Sequence, residues 1–198
     1  MKKSILTVLR DTKTNRSEFR RAAMRLSYLL AAEAGGVLHR ESFLIRTPLA
    51  KTEGERFSNE LVIIPILRAG LAMLPAFLEM FSDAAVGFFG MWRDEVTKKP
   101  HLYYENIPEI GQDCEVIVLD PMLATGGSGV VALDHLFARG VKDSQIVYVS
   151  IIAAPEGIEK IREFSPRVRL VIGQVDDSLN DDAFIVPGIG DFGDRFFT

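Results

Sequence analysis

The sequence predicts an α/β fold: a parallel sheet with helices on both faces, plus a small arm. Two observations carry that expectation. Apolar runs of strand length recur at residues 61–67, 84–90, 115–119, 145–153 and 167–173, and segments with helical spacing alternate with them at 70–81, from 130 onward and at 155–164. The strand runs are also apolar on successive residues, as expected of strands covered on both faces.

Taken in order, residues 17–34 read as a helix, because Phe19, Ala22, Ala23, Leu26, Leu29 and Leu30 form one apolar face and Gly35-Gly36 supplies a stop. Residues 46–60 are polar and read as a connector to the strand at 61–67. Residues 70–81 read as a helix in which Pro75 implies a kink or an early first turn. After the strand at 84–90, the segment from Arg93 to Glu105 breaks the alternation. It is polar with neighbouring Tyr103 and Tyr104, and reads as a mobile arm or small hairpin, extending to about residue 112.

The nine residues Asp120-Pro121-Met122-Leu123-Ala124-Thr125-Gly126-Gly127-Ser128 are the most telling stretch. A buried strand precedes them, and Val130, Val131, Leu133, Leu136 and Phe137 follow at helical spacing. The start of a helix leaves backbone N–H groups without intrahelical partners, and these favour an anion above the loop. Thr125 and Ser128 add hydroxyl donors, and Gly126 and Gly127 let phosphate oxygens approach the backbone. Asp120 places an acceptor beside those donors, which suits a ligand carrying both hydroxyls and phosphate. A P-loop would need lysine where Ser128 stands, and no glycine-x-glycine-x-x-glycine follows a strand. The competing reading is an ordinary turn with a serine cap.

In parallel sheets ligands sit beyond the carboxyl ends of the strands. Arg68, Arg93 and Asp120 each follow or end a strand, so all three are expected to face one crevice. Two guanidinium groups and the loop would then surround a ligand with several negative charges; each arginine taken alone could equally be a solvated surface charge.

Composition narrows the field. At 198 residues, 47% hydrophobic and 25% charged, the chain fits one domain over 1–198. A formal net charge of −4 gives no broad attraction to nucleic acid or an anionic membrane, so phosphate binding must be local. The single cysteine, Cys114, forms no internal disulfide, fits a reducing compartment and reads as a strand-edge residue. The apolar run at the N-terminus stops at Arg10, so no export signal is expected, and no stretch reaches the roughly 18 apolar residues of a membrane helix. A cytoplasmic protein is expected. His39, His101 and His135 lie apart and read as surface or structural residues, and Trp92 reads as either a cover for the crevice or a core residue.

With these residues in view, the chain resembles the uracil phosphoribosyltransferase family within the type I phosphoribosyltransferases. The resemblance rests on Pro65-Ile66-Leu67-Arg68-Ala69-Gly70, Arg93-Asp94-Glu95, residues 120–128, Ala153-Ala154-Pro155-Glu156-Gly157-Ile158, and Ile185-Val186-Pro187-Gly188-Ile189-Gly190-Asp191 with Gly193-Asp194-Arg195. It implies transfer of ribose 5-phosphate from 5-phosphoribosyl 1-diphosphate to uracil. By that resemblance the 5-phosphate lies on residues 125–128, the ribose hydroxyls lie near Asp120, Arg68, Arg93 and Asp191 contact the ribosyl diphosphate, and Arg68, Arg93, Asp120 and Asp191 are the catalytic groups. Pro121, Met122, Leu123 and Ala124 complete that loop. Backbone groups at Ile185, Gly190 and Phe192, beside Asp191, read the base in a tail spanning about 183–198.

Magnesium is implied as a passenger on the substrate phosphates, with no ligand cage in the protein. A homodimer or larger homo-oligomer and a GTP effector are further implications. Asp194 and Arg195 are expected to form a structural pair. Phe192 stands where the family usually has alanine, so either the base pocket is reshaped or the phenyl ring points away from it. A phosphoribosyltransferase for another base and a pyrimidine-responsive RNA-binding regulator are the alternatives.

Overall fold

The computed structural model describes residues 1–94 and 99–198; the Arg93 side chain also falls outside the description. Helix α1 (Lys2–Arg10) buries Leu6 and Leu9. Helix α2 (Arg16–Val37) starts at a capping box in which Glu18 N–H donates to the Asn15 side chain at 3.0 Å and Asn15 N–H donates to the Glu18 carboxylate at 3.4 Å. Its buried Phe19, Ala23, Leu26, Leu30 and Ala34 recur every three or four residues. The Gly35-Gly36 pair does not stop it. Gly35 is buried against Phe81, where a Cβ would lie 3.4 Å from the ring, and such packing outweighs a propensity cost of about 1 kcal/mol per glycine.

The stretch read as a connector at 46–60 holds instead the turn and second strand of an antiparallel hairpin, β1 (Arg40–Arg46) and β2 (Lys51–Phe57), whose turn is closed by the Thr47 hydroxyl. Nearly every residue of both strands is exposed, so the ribbon has no dry face to impose an alternating pattern.

Strand β3 (Leu61–Leu67) is followed by a 3-10 turn at Ala69–Ala72 and helix α3 (Leu74–Met80), with Pro75 in the first turn of α3. The run at 84–90 divides into β4 (Ala85–Val86) and β5 (Phe88–Arg93). Strand β6 (Pro100–Asn106) returns antiparallel to β5, so the arm is a hairpin; Glu95, Val96, Thr97 and Lys98 lie outside the described residues. Then come β7 (Glu115–Leu119), β8 (Met122–Leu123), α4 (Gly127–Ala138), β9 (Ile146–Ala153), α5 (Pro155–Phe164) and β10 (Arg169–Val175). The chain ends with the small hairpin β11 (Ser178–Leu179) and β12 (Ile185–Val186) and helix α6 (Phe192–Phe197).

Among the described residues the main sheet has eight strands, in order β10-β9-β7-β3-β5-β6, with β4 paired to β3 and β8 to β9. All its pairings are parallel except β5 with β6. Alternate residues of the central strands serve two cores. Ile63, Ile117, Val147 and Val149 meet α1, α2, α3 and α6 on one face. Val62, Ile64, Val116, Val118 and Tyr148 meet α4 and α5 on the other. No helix among the described residues is long and apolar enough to cross a membrane.

Ile117 is fully buried on β7, which has neighbours on both sides. Ile117→Ala is expected to cost about 2–5 kcal/mol, read as a lower urea midpoint with unchanged slope.

Candidate active site

The chain leaves β3 for β5 on one side of the sheet and leaves β7 for β9 on the other. β3 and β7 are therefore neighbours whose onward connections diverge, and their carboxyl ends open into a crevice of about 510 Å³. Arg68 enters it from the end of β3 and Asp120 from the end of β7, joined by Met122, Ala124, Ser128 and Asp191. Arg68 is exposed and no ion pair joins it to a described residue. The peptides Leu67–Arg68, at the crevice, and Val186–Pro187 are both cis. Arg93 is the last residue of β5, paired with Pro100; its expected contact involves a side chain outside the described residues.

Asp120 is tightly held. Tyr148 donates its hydroxyl to Asp120 Oδ2 at 2.8 Å, Met122 N–H faces Oδ1 at 3.4 Å, and the Ser150 hydroxyl donates to the Asp120 carbonyl at 2.7 Å. Burial, reinforced by the adjacent Asp120 charge, pushes the Tyr148 phenol well above its usual range, so Tyr148 stays a donor at neutral pH. Neither Tyr148 nor Ser150 was singled out from sequence. The available signal was two hydroxyls two residues apart in the otherwise apolar Ile146–Ala153 strand, which places both on one face.

Beyond Asp120 the loop is stitched to β9. The Pro121 carbonyl accepts from Ile151 and Ile152 N–H at 3.1 Å, and the Leu123 carbonyl accepts from Ala154 N–H at 2.9 Å. Pro121 and Leu123 are thus buried supports outside the crevice lining. Thr125, Gly126 and Gly127 form the bend beside that lining. Gly126, with φ of 74°, is the N-cap of α4 in place of a serine, and the first intrahelical bond is Val130 N–H to Gly126 O at 2.9 Å. The N–H groups ahead of Val130 have no intrahelical acceptor and open toward the loop. A Cβ on Gly157 would meet the Ala124 carbonyl at 2.4 Å, so α5 packs directly against this backbone.

The tail forms the other wall. Asp191 caps α6 by accepting from Asp194 N–H at 2.8 Å. Ile185, which is buried, and Gly190, which is exposed, are both outside the crevice lining. Phe192 borders the crevice, but its ring is 1% exposed and lies between Phe19, at 5.4 Å, and Phe196, at 5.7 Å. The ring is thus packed into the core at the edge of the crevice. Asp182, Ala183 and Phe184 also line the crevice; Ala183 and Phe184 open the tail expected at about 183–198, whereas Asp182 lies just ahead of it, and Asn180 fixes their turn by accepting from Phe184 N–H at 2.8 Å. Arg195 does not pair with Asp194. It donates to the carbonyls of Leu9, Ile189 and Asp11, and its guanidinium lies 4.5 Å from the Phe19 ring centroid.

Trp92 is half-exposed, lines the crevice and stacks on His101 at 4.8 Å; Tyr103 also reaches the lining. His39 is bonded to Glu115 and His135 to Glu105, and no histidine lines the crevice among the described residues. Cys114 is buried, and burial with the nearby Glu60 and Glu115 charges pushes its thiol to about 11, so it is neutral and unreactive. Among the described residues no group of three or more His, Cys, Asp or Glu could hold a metal ion.

The family model described as uracil phosphoribosyltransferase matches residues 1–198. Proteins named uracil phosphoribosyltransferase from Dictyoglomus thermophilum and Salinibacter ruber are 46% and 44% identical, each over 97% of this chain and over 92% and 90% of their own lengths. A solved structure from Aquifex aeolicus has a TM-score of 0.88 at 37% identity, covering 99% of this chain and 93% of its own. A Staphylococcus aureus hypoxanthine phosphoribosyltransferase structure, with a TM-score of 0.53 at 11% identity, covers 81% of this chain and 76% of its own and shares the fold alone. On these grounds the chain belongs to the uracil phosphoribosyltransferase family.

Proposed function

We propose that this chain is a pentosyltransferase that converts uracil and 5-phosphoribosyl 1-diphosphate into uridine monophosphate and diphosphate, the salvage reaction of its relatives. The observation that carries the proposal is the shared crevice, with Arg68 and Asp120 on adjacent strand ends and Ser128 at the start of α4. We assign the 5-phosphate to the bend at Thr125, Gly126, Gly127 and Ser128, supported by the backbone of Pro121, Met122, Leu123 and Ala124. Asp120 takes the ribose hydroxyls, and Arg68, Arg93 and Asp191 take the ribosyl diphosphate. Ile185, Gly190 and Phe192, with Asp191, present the base-reading backbone.

In the reaction the uracil N1 forms a bond to the anomeric carbon as the bond from that carbon to the diphosphate oxygen breaks. The bonding pair leaves with diphosphate and the N1 proton is released. Charge gathers on the departing group, so a guanidinium fork aimed there stabilises the transition state more than the ground state. The backbone donors and acceptors of the tail read a pyrimidine edge without any covalent participation.

The crevice suits magnesium carried on the substrate phosphates, because Asp120 and Asp191 place hard oxygen donors on its wall. Bound there, the ion would neutralise diphosphate charge. We further assign residues 1–198 to one catalytic domain, with the arm at about 93–112 beside the crevice and the base tail at about 183–198. A homodimer or larger homo-oligomer is supported by the exposed Phe43, Leu44, Ile45 and Leu49 of the β1–β2 hairpin region. A cytoplasmic location is supported by the single buried cysteine. GTP as an effector rests on the family resemblance alone.

Mixing the protein, magnesium and ribosyl diphosphate with a panel of bases should release diphosphate with uracil; release with a purine only would overturn the base assignment, and none with any base would overturn the activity. In the same assay Arg68→Ala should raise the barrier by about 2–4 kcal/mol, seen chiefly in kcat. Tyr148→Phe removes a hydrogen bond to a charged group and should weaken ribosyl diphosphate binding by about tenfold, in line with about 1.5 kcal/mol, while KM for uracil stays near its original value.

A further inference from the structure

Helix α1 contributes no residue to the crevice lining, yet its last turn grips the tail expected to read the base. Arg10 donates Nη1 to Asp176 Oδ2 at 2.7 Å and Nη2 to Asp176 Oδ1 at 2.5 Å, a two-pronged pair. The same Nη1 donates to the Gly188 carbonyl at 2.8 Å, and Gly188 N–H donates to Asp176 Oδ2 at 2.8 Å. Both backbone groups of Gly188 are therefore held by one ion pair. One residue on, Arg195 links the Ile189 carbonyl, at 2.9 Å, to the carbonyls of Leu9 and Asp11 that flank Arg10.

Asp176 is itself fixed. It follows β10 directly, its N–H donates to the Ala153 carbonyl at 2.8 Å, and its side chain is 2% exposed. Burial works against its charge, but the hydrogen bonds from Arg10 and the Gly188 amide outweigh that cost and hold the carboxyl below its usual range. At Gly188, with φ of 64°, a Cβ would lie 2.0 Å from the Ile185 carbonyl, so the segment has no room to relax by substitution.

We propose that Arg10 and Asp176 are positioning residues for base recognition, fixing the Ile185-to-Gly190 backbone at the geometry that reads the pyrimidine edge. This deepens the proposed reaction and rests on it. A pocket built from backbone groups has no side-chain rotamer to adjust, so its selectivity is set by how rigidly the chain is held. The two anchors reach the segment from opposite ends of the sequence, at Gly188 through Arg10 and at Ile189 through Arg195.

The test is steady-state kinetics of Arg10→Lys and of the isosteric Asp176→Asn, each compared with the unaltered enzyme. Lysine keeps the charge but cannot span Asp176 and Gly188 with a planar fork. Either variant should raise KM for uracil by about tenfold and narrow the preference for uracil over cytosine, with KM for ribosyl diphosphate unchanged within about twofold. A folded variant whose two KM values and base preference match the unaltered enzyme, with only melting temperature or active fraction reduced, would assign the network to stability and overturn the proposal. Equal rises in both KM values would also overturn it. Absence of activity in the unaltered enzyme would refute the reaction itself, a different failure.

Discussion

The divergence of chain direction between β3 and β7 is the constraint on which the site depends. Residues 61–65 pair in register with residues 115–119, so the two strands end side by side. Because the chain then departs through α3 to β5 on one side and through α4 to β9 on the other, no connection roofs the gap between those ends. Arg68, three residues past the last β3 position paired with β7, and Asp120, one residue past the last β7 position paired with β3, are thereby brought to one opening. A cation and an anion thus face one crevice.

The crevice walls are kept in place by polar groups anchored in the core. The Tyr148 and Ser150 hydroxyls on β9 hold Asp120 from below, and the Pro121 and Leu123 carbonyls are consumed by β9 and its extension. A buried hydroxyl must find a partner, so these residues both satisfy themselves and restrict the carboxylate. Helix α5, packed at the Gly157 backbone, blocks withdrawal of the bend at Thr125–Gly127, and the first N–H groups of α4 open toward it. The rigidity of the site thus comes from the second layer of β9 and α5, which carries no proposed substrate contact.

Much of this was legible in the sequence. The strands at 61–67, 115–119 and 145–153 announced themselves because burial on both faces leaves unbroken apolar runs, and the bend at 120–128 because its composition suits an anion at a helix start. Other features were illegible for definite reasons. The β1–β2 hairpin has two wet faces and hence no period. The Gly35-Gly36 pair looked like a stop because its contact with Phe81 is a tertiary fact. Arg195 found carbonyls of α1 in place of its sequence neighbour Asp194, since the last turn of a distant helix offers unpaired acceptors that no local pattern reveals. Tyr148 was hidden by its own setting, reading as one more core residue in a strand. Phe192 could not be oriented until Phe19 was seen beside it.

The most direct test is a crystal structure of the protein with magnesium and 5-phosphoribosyl 1-diphosphate. The account predicts the 5-phosphate on the amides of residues 125–128, the ribose hydroxyls against Asp120, and the diphosphate toward Arg68. A ribosyl diphosphate bound elsewhere, or in the reverse orientation with its diphosphate on the bend and its 5-phosphate at Arg68, would contradict it.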